Sequence, residues 1–190
     1  MTRENPEFQL GSFNHVALVC SDMARTVEFY TQVLGMPLIK TVNLPDGQGQ
    51  HFFFDAGGGN SLAFFWFPDA PEGVPGISAP VAVPGFGEWS SAIGSLNHVA
   101  FDVPADKFEE YRAKLKAKGV KVAPIVNHDE SPTQVATTMH PGVYVRSFYF
   151  QDPDGILLEF ACWMREFTDA DVQHAPVSRA GRTLSTVADA

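Results

Sequence analysis

A chain of 190 residues with 45% hydrophobic content can bury a core of ordinary domain size, which excludes disorder throughout. Its formal charge of −9, from 13 Lys+Arg against 22 Asp+Glu, leaves no basic surface to neutralise a phosphate backbone, so nucleic acid is excluded as a partner. No stretch approaches the ~18 apolar residues of a membrane span, and the opening MTRENPEFQL has no apolar centre, so the expectation is a soluble, cytoplasmic protein with no membrane partner.

In chain order, 13–20 (FNHVALVC) reads as a strand. Ser21 and Asp22 are candidate N-caps for a helix over MARTVEFYTQVLG, with Val27, Tyr30 and Leu34 at helical spacing and Gly35 as its stop. Residues 51–67 read as two strands around a Gly-rich turn. Residues 68–94, rich in Pro and Gly, read as an irregular connector. The order then recurs: a strand at 96–103, Pro104, a helix with Phe108, Tyr111 and Leu115 on one stripe and Gly119 closing it, and two strands over 145–163 around Asp-Pro-Asp-Gly. The expected fold is α+β, two paired βαβββ modules forming one domain over 11–163. Module one spans 11–67, the connector 68–94 and module two 95–163; a weakly structured tail covers 164–190. Cys20 and Cys162 sit in apolar runs without CxxC spacing and read as buried reduced thiols.

The two modules open on the same phrase, NHVA, at 14–17 and 97–100. A duplicated module packs about a pseudo-two-fold axis, so His15 and His98 are expected to approach each other and share a site; the plain reading of a strand histidine is a satisfied core residue. Glu159 lies in ILLEFAC, where an unpaired buried carboxylate would cost several kcal/mol, and coordination to a cation would remove that cost. Its plain reading is an edge-strand residue facing water. Two His and one carboxylate make a facial triad with open positions, suited to Fe(II) or, as the alternative, Mn(II). The net positive charge such a site keeps favours an anionic chelating substrate.

These paired modules, and above all NHVALVCSDMARTVEFYTQVLGM, resemble the vicinal oxygen chelate superfamily, which includes glyoxalase I, the fosfomycin- and bleomycin-resistance proteins and the type I extradiol ring-cleaving dioxygenases. The stretch TTMHPGVYVRSFYFQDPDGILLEF is similar to the extradiol signature, with His140, Phe148, Tyr149, Asp152, Pro153, Gly155 and Glu159 in register. The resemblance implies His15, His98 and Glu159 as metal ligands. It implies Tyr149 and His140 as catalytic groups that hydrogen-bond a bound catechol and dioxygen. The plain readings are core packing for Tyr149 and a solvated loop for His140. Asn60, in NSLAFF, stands where extradiol enzymes carry an acid–base histidine, and is expected to hydrogen-bond substrate without shuttling a proton. His51, expected opposite Phe65, is a substitute proton carrier or a hairpin-surface residue. Ala63 aligns with Glu159, which denies a fourth ligand and weakens a glyoxalase-type reading.

The expected function is thus an extradiol-type dioxygenase, an oxidoreductase acting on a small aromatic diol with dioxygen, a homodimer being compatible. The alternatives are a metal-dependent transferase or isomerase of the fosfomycin-resistance or glyoxalase type, and a non-catalytic ligand-binding protein. Gly57–Gly59 precede a strand, not a helix, which argues against a phosphate loop, and His128 and His174 read as surface residues.

Overall fold

The structure, a computed structural model, describes residues 5, 7–82 and 90–177. Module one runs β1 (His15–Cys20), α1 (Met23–Glu28), β2 (Leu38–Asn43), β3 (Gln50–Gly57) and β4 (Asn60–Trp66). Module two runs β5 (Val99–Asp102), α2 (Phe108–Ala117), β6 (Val126–His128), β7 (Val135–Ala136), β8 (Val145–Gln151) and β9 (Leu157–Trp163). The first sheet has the order β1-β4-β3-β2 and the second β5-β9-β8-β6-β7, so each module pairs its first strand parallel to its last. This is the α+β architecture of two βαβββ modules, with β7 a short addition to the second. Strand β2 and the pair β6–β7, not located from the sequence, are short or exposed pieces with little apolar alternation.

Asp22 is the cap chosen for α1: its carboxylate accepts from the Arg25 backbone N–H at 3.0 Å. Beyond Glu28 the helix widens through Phe29–Val33, where the Leu34 N–H reaches back five residues to the Phe29 carbonyl. Gly35 and Gly119 close the two helices at φ +75° and +81°, a left-handed conformation that side chains resist.

Strand alternation sends one face of each sheet inward. Tyr30, Phe54, Phe64, Phe108, Phe148, Phe150 and Leu158 form one continuous core that includes both helices. The modules are also tied by polar contacts from the Asp-Pro-Asp-Gly turn. Asp154 accepts from the Ser21 backbone and hydroxyl and from Arg25. Asp152 accepts from the backbone N–H groups of Asp154 and Ile156, both at 2.9 Å, and from the Tyr30 hydroxyl at 3.2 Å. Asp152, the aspartate of the signature, and Asp154 of the same turn are therefore structural.

Burial pushes the Asp152 carboxyl up to about 6 despite those donors. An acid that titrates near 3.8 when unfolded and near 6 when folded holds a proton in the fold that the open chain has lost. Its destabilising contribution is full above pH 6 and is relieved as pH falls towards 4. Asp152→Asn keeps an acceptor for the turn and removes this charge. Its unfolding free energy, measured in urea, should exceed that of the natural chain at pH 8 by about 3 kcal/mol, and the gap should shrink to about 1 kcal/mol by pH 4.5 and close below pH 4. A gap independent of pH would mean that Asp152 is ionised in the fold like any exposed carboxylate.

From Met164 the chain is more ordered than its composition suggests, as far as it is described. Arg165 pairs with Asp171, Thr168 and Asp171 cap each other's backbone, and Phe167 packs edge-on against Trp163. Residues 83–89 of the connector and 178–190 of the tail lie outside the described residues; in the described part of the connector Pro75 bridges Ala79 among turns.

Candidate metal centre

The outward faces carry the chemistry. In the second sheet, cross-strand pairs place Ala100, Glu159 and Tyr149 side by side, and His98, two residues before Ala100, has the same parity. His98 Nε2 lies 3.0 Å from Glu159 Oε2, and Glu159 is 6% exposed. Burial raises the Glu159 pKa, but bonds from His98, Ser147 and Tyr149 outweigh it and hold the carboxyl below its ordinary value. It is a carboxylate in a buried site, as its place in an apolar run implied.

The Asn of each NHVA phrase has a function that the linear pattern did not disclose. Asn97 Oδ1 lies 2.6 Å from His98 Nδ1 and Asn14 Oδ1 lies 2.7 Å from His15 Nδ1. An amide oxygen only accepts, so Nδ1 carries a proton in both rings and Nε2 is the nitrogen presented outward; in His98 it donates to the Glu159 carboxylate, the place a cation would take. Such a fixed tautomer is what ligating histidines use. The signal was present, since the asparagine belongs to the repeated phrase.

Tyr149 meets the plain reading of core packing, and its hydroxyl lies beside Glu159. Its ring packs with Ala123, Leu157 and Val126, while its hydroxyl reaches Ser147 and Glu159. Burial, with the Glu159 charge adding to it, pushes the phenol up to about 12, against a smaller opposite effect of the Ser147 hydroxyl.

The first sheet presents the equivalent face. There Ala17 pairs with Ala63 and Ala63 with Phe53, just as Ala100 pairs with Glu159 and Glu159 with Tyr149. Ala63 thus occupies the Glu159 position and Phe53 the Tyr149 position, so neither position carries a donor in module one, and the ligand-type side chains on that face are the imidazoles of His15 and His51. The His15 ring lies edge-on to Phe53 at 5.6 Å. His51 does pair with Phe65, as expected, and stacks on it at 3.6 Å. Burial, then the neighbouring His15, lowers the His51 pKa, and His51 Nε2 is buried without a hydrogen-bond partner.

Three placements expected from the sequence are not met within the chain. His15 does not join His98 and Glu159: among the described residues no three His, Cys, Asp or Glu side chains gather as a metal cluster. The helical faces are packed in one core, so the two site faces point away from it separately. His140 also stays apart. Its Nδ1 accepts from the Gly142 N–H at 3.1 Å, so Nε2 carries the proton and faces Asp129 Oδ2 at 3.1 Å, leaving both nitrogens engaged. Asn60 is folded into its own turn, donating to the Gly57 and Gly58 carbonyls, with the parity of the core face and not of His15. His128, read as a surface residue, sits instead on the Glu159 side of the second sheet, with Nε2 3.1 Å from Ser147 Oγ.

The donors fit a divalent cation in part. Adjacent oxygen and nitrogen donors around a small octahedral ion are about 3 Å apart, given bond lengths near ~2.1 Å, and His98 Nε2 and Glu159 Oε2 stand at that spacing. A third protein donor has to come from elsewhere.

The chain matches, over residues 12–160, the model of the Glyoxalase/Bleomycin resistance protein/Dioxygenase superfamily. It is 27% identical over 113 residues to the putative ring-cleaving dioxygenase MhqE of Bacillus subtilis, a match covering 57% of this chain and about a third (32%) of MhqE. It is 28% identical to the lactoylglutathione lyase of Escherichia coli O157:H7, over 76% of this chain and 87% of the lyase. The crystal structure of SMU.1112c superposes with a TM-score of 0.57 at 28% identity, covering 80% of this chain and 99% of that one. With two βαβββ modules, outward histidines at equivalent strand starts and a family match over most of its length, the chain belongs to the Glyoxalase/Bleomycin resistance protein/Dioxygenase superfamily.

Proposed function

We propose that the protein is a metal-dependent extradiol-type dioxygenase whose site forms between two copies of the chain, His98 and Glu159 of one meeting His15 of the other. The observation that carries this reading is the divided donor set: a carboxylate–imidazole pair on one open face, a third imidazole with the same asparagine-fixed tautomer on another. The surfaces around them are apolar and uncovered. Phe13 is 79% exposed and Val19 51% beside His15, and Trp163 is 60% exposed on the Glu159 side. A two-fold axis would bury each face twice and build two identical sites.

Fe(II), or Mn(II), held by these three residues would supply the electron path between a chelated diol and dioxygen. The chain's own groups do the rest. Ala63 leaves the position equivalent to Glu159 without a donor, which keeps room for a bidentate substrate. Phe53, Phe65 and Phe67, the last two stacked at 5.4 Å, give the His15 face a planar apolar wall suited to an aromatic ring. Tyr149, with its phenol raised to about 12, keeps its proton at neutral pH and donates to an anionic diol oxygen; it does not act as a base. His51, uncharged at neutral pH and on the His15 face, takes the proton-accepting part that Asn60 cannot.

The test is metal analysis of protein purified without oxygen, followed by oxygen uptake with a panel of catechols. One metal per chain and oxygen-dependent loss of a catechol are expected. Metal binding without oxygen uptake on any diol would transfer the site to the transferase or isomerase chemistry of the same fold. Tyr149→Phe should leave metal content intact and lower turnover by about 100-fold or more, the scale of one positioned proton donor. An unchanged turnover would reduce Tyr149 to a packing residue.

A further inference from the structure

We infer that His128 is a positioning residue for Glu159, acting through the hydroxyl of Ser147; this rests on the metal-site reading above. Ser147 is fully buried in β8, and its hydroxyl bonds towards both Glu159 and Tyr149. A serine has one proton to give. If that proton points at the carboxylate, or at the Tyr149 oxygen whose own proton goes to the carboxylate, then Ser147 Oγ must accept from its remaining neighbour. That neighbour is His128 Nε2, at 3.1 Å. The arrangement therefore requires His128 in the Nε2–H form, the opposite tautomer from His15, His98 and their asparagines.

The surroundings favour this. Half-buried on β6, His128 has its pKa lowered by burial, with Glu159 opposing and His98 adding to the effect, so the ring keeps a single proton, which the contact with Ser147 places on Nε2. A one-way chain of donors, His128 to Ser147 to the carboxylate, fixes which oxygen of Glu159 remains turned to His98. Were the proton on Nδ1 instead, Ser147 would turn its hydroxyl to His128 and Glu159 would lose a donor. Neither Ser147 nor His128 has an equivalent in module one, where the Ser147 position is His51, in keeping with the absence of a carboxylate there.

Two measurements test the role. Side-chain nitrogen NMR of the metal-free full-length protein should show His128 protonated at Nε2; the Nδ1–H form would overturn the inference whether or not the protein binds metal. Mn(II) affinity, followed by electron paramagnetic resonance, should fall about 10-fold in His128→Leu and in Ser147→Ala, the scale of losing one outer hydrogen-bond partner. His128→Gln, whose amide N–H can take the place of Nε2–H, should recover most of the affinity. In the Ser147→Ala background His128→Leu should cost little more, because the path is already cut. Full additivity, or no recovery by Gln, would show that His128 acts some other way or only by packing. Loss of Mn(II) in Glu159→Ala with no effect of His128→Leu would overturn this inference alone, whereas a natural chain that binds no Mn(II) would overturn the metal reading and the role together.

Discussion

Replacing Glu159 by Ala should abolish stoichiometric metal and, with it, any oxygen uptake, the largest effect expected of a single substitution in this chain. The carboxylate has a combination of properties that a salt bridge alone does not account for. It is 6% exposed, held ionised by three side-chain donors, and set beside an imidazole whose other nitrogen is tied to an amide oxygen. Metal affinity should fall by at least about 100-fold, beyond the ~10–100-fold scale of outer partners, because a charged first ligand is gone. Glu159→Gln separates the two explanations. Gln fills the same volume and offers one oxygen to Ser147 or Tyr149, so the folded state should remain within about 1 kcal/mol of the natural one, while the neutral amide is a poor ligand. If instead the His98–Glu159 pair is purely structural, both variants should lose about 3 kcal/mol of stability, as a broken buried pair does, and metal content should not change. Metal analysis and urea unfolding of the same two variants decide between them.

Much of this was legible because a duplication writes the same physical constraint twice. NHVA at two strand starts put His15 and His98 at equivalent places, and the register confirms the equivalence down to Ala17 with Ala63 and Ala100 with Glu159. Glu159 was legible for a different reason: a charged residue inside an apolar strand run is expensive, and the expense asks for a partner. What the linear pattern lacks is direction across the sheet and between the modules. Asn60 aligns with a catalytic position, yet strand parity turns it towards its own hairpin. His140 has the correct spacing from Tyr149, yet a neighbouring backbone N–H sets its tautomer and commits it to Asp129. His128 lies in a polar loop-like stretch of three strand residues, too short for alternation to reveal which face it takes. Asp152 stands in the signature and Asp154 only in the turn read there, and the contact both make with module one was not legible in either. The single core that both helices share, with His15 apart from His98 and Glu159, rests on apolar stripes that would serve either arrangement of the modules equally well.

That last point leads to the second large effect. If His15 serves the site of a second copy, His15→Ala and Glu159→Ala chains should each fail to hold metal alone yet repair each other when mixed. In a dimer built from one of each, one site receives His15 from the Glu159→Ala chain and His98 with Glu159 from the His15→Ala chain, and is complete. The other site lacks both. Random pairing makes half of all dimers mixed, so about one quarter of the sites should bind Mn(II) after the two variants are unfolded together and refolded, as closed two-fold symmetry requires. A site made within a single chain cannot be repaired in this way, and its recovery is zero. The same mixture gives a check on the surface itself: Phe13→Asp, which sets a charge in the exposed apolar strip beside His15, should lower the dimer fraction in sedimentation and lower metal content in parallel. Metal content that survives dissociation to monomers, or a mixture that recovers no sites, would place all three ligands within one chain and overturn the shared site.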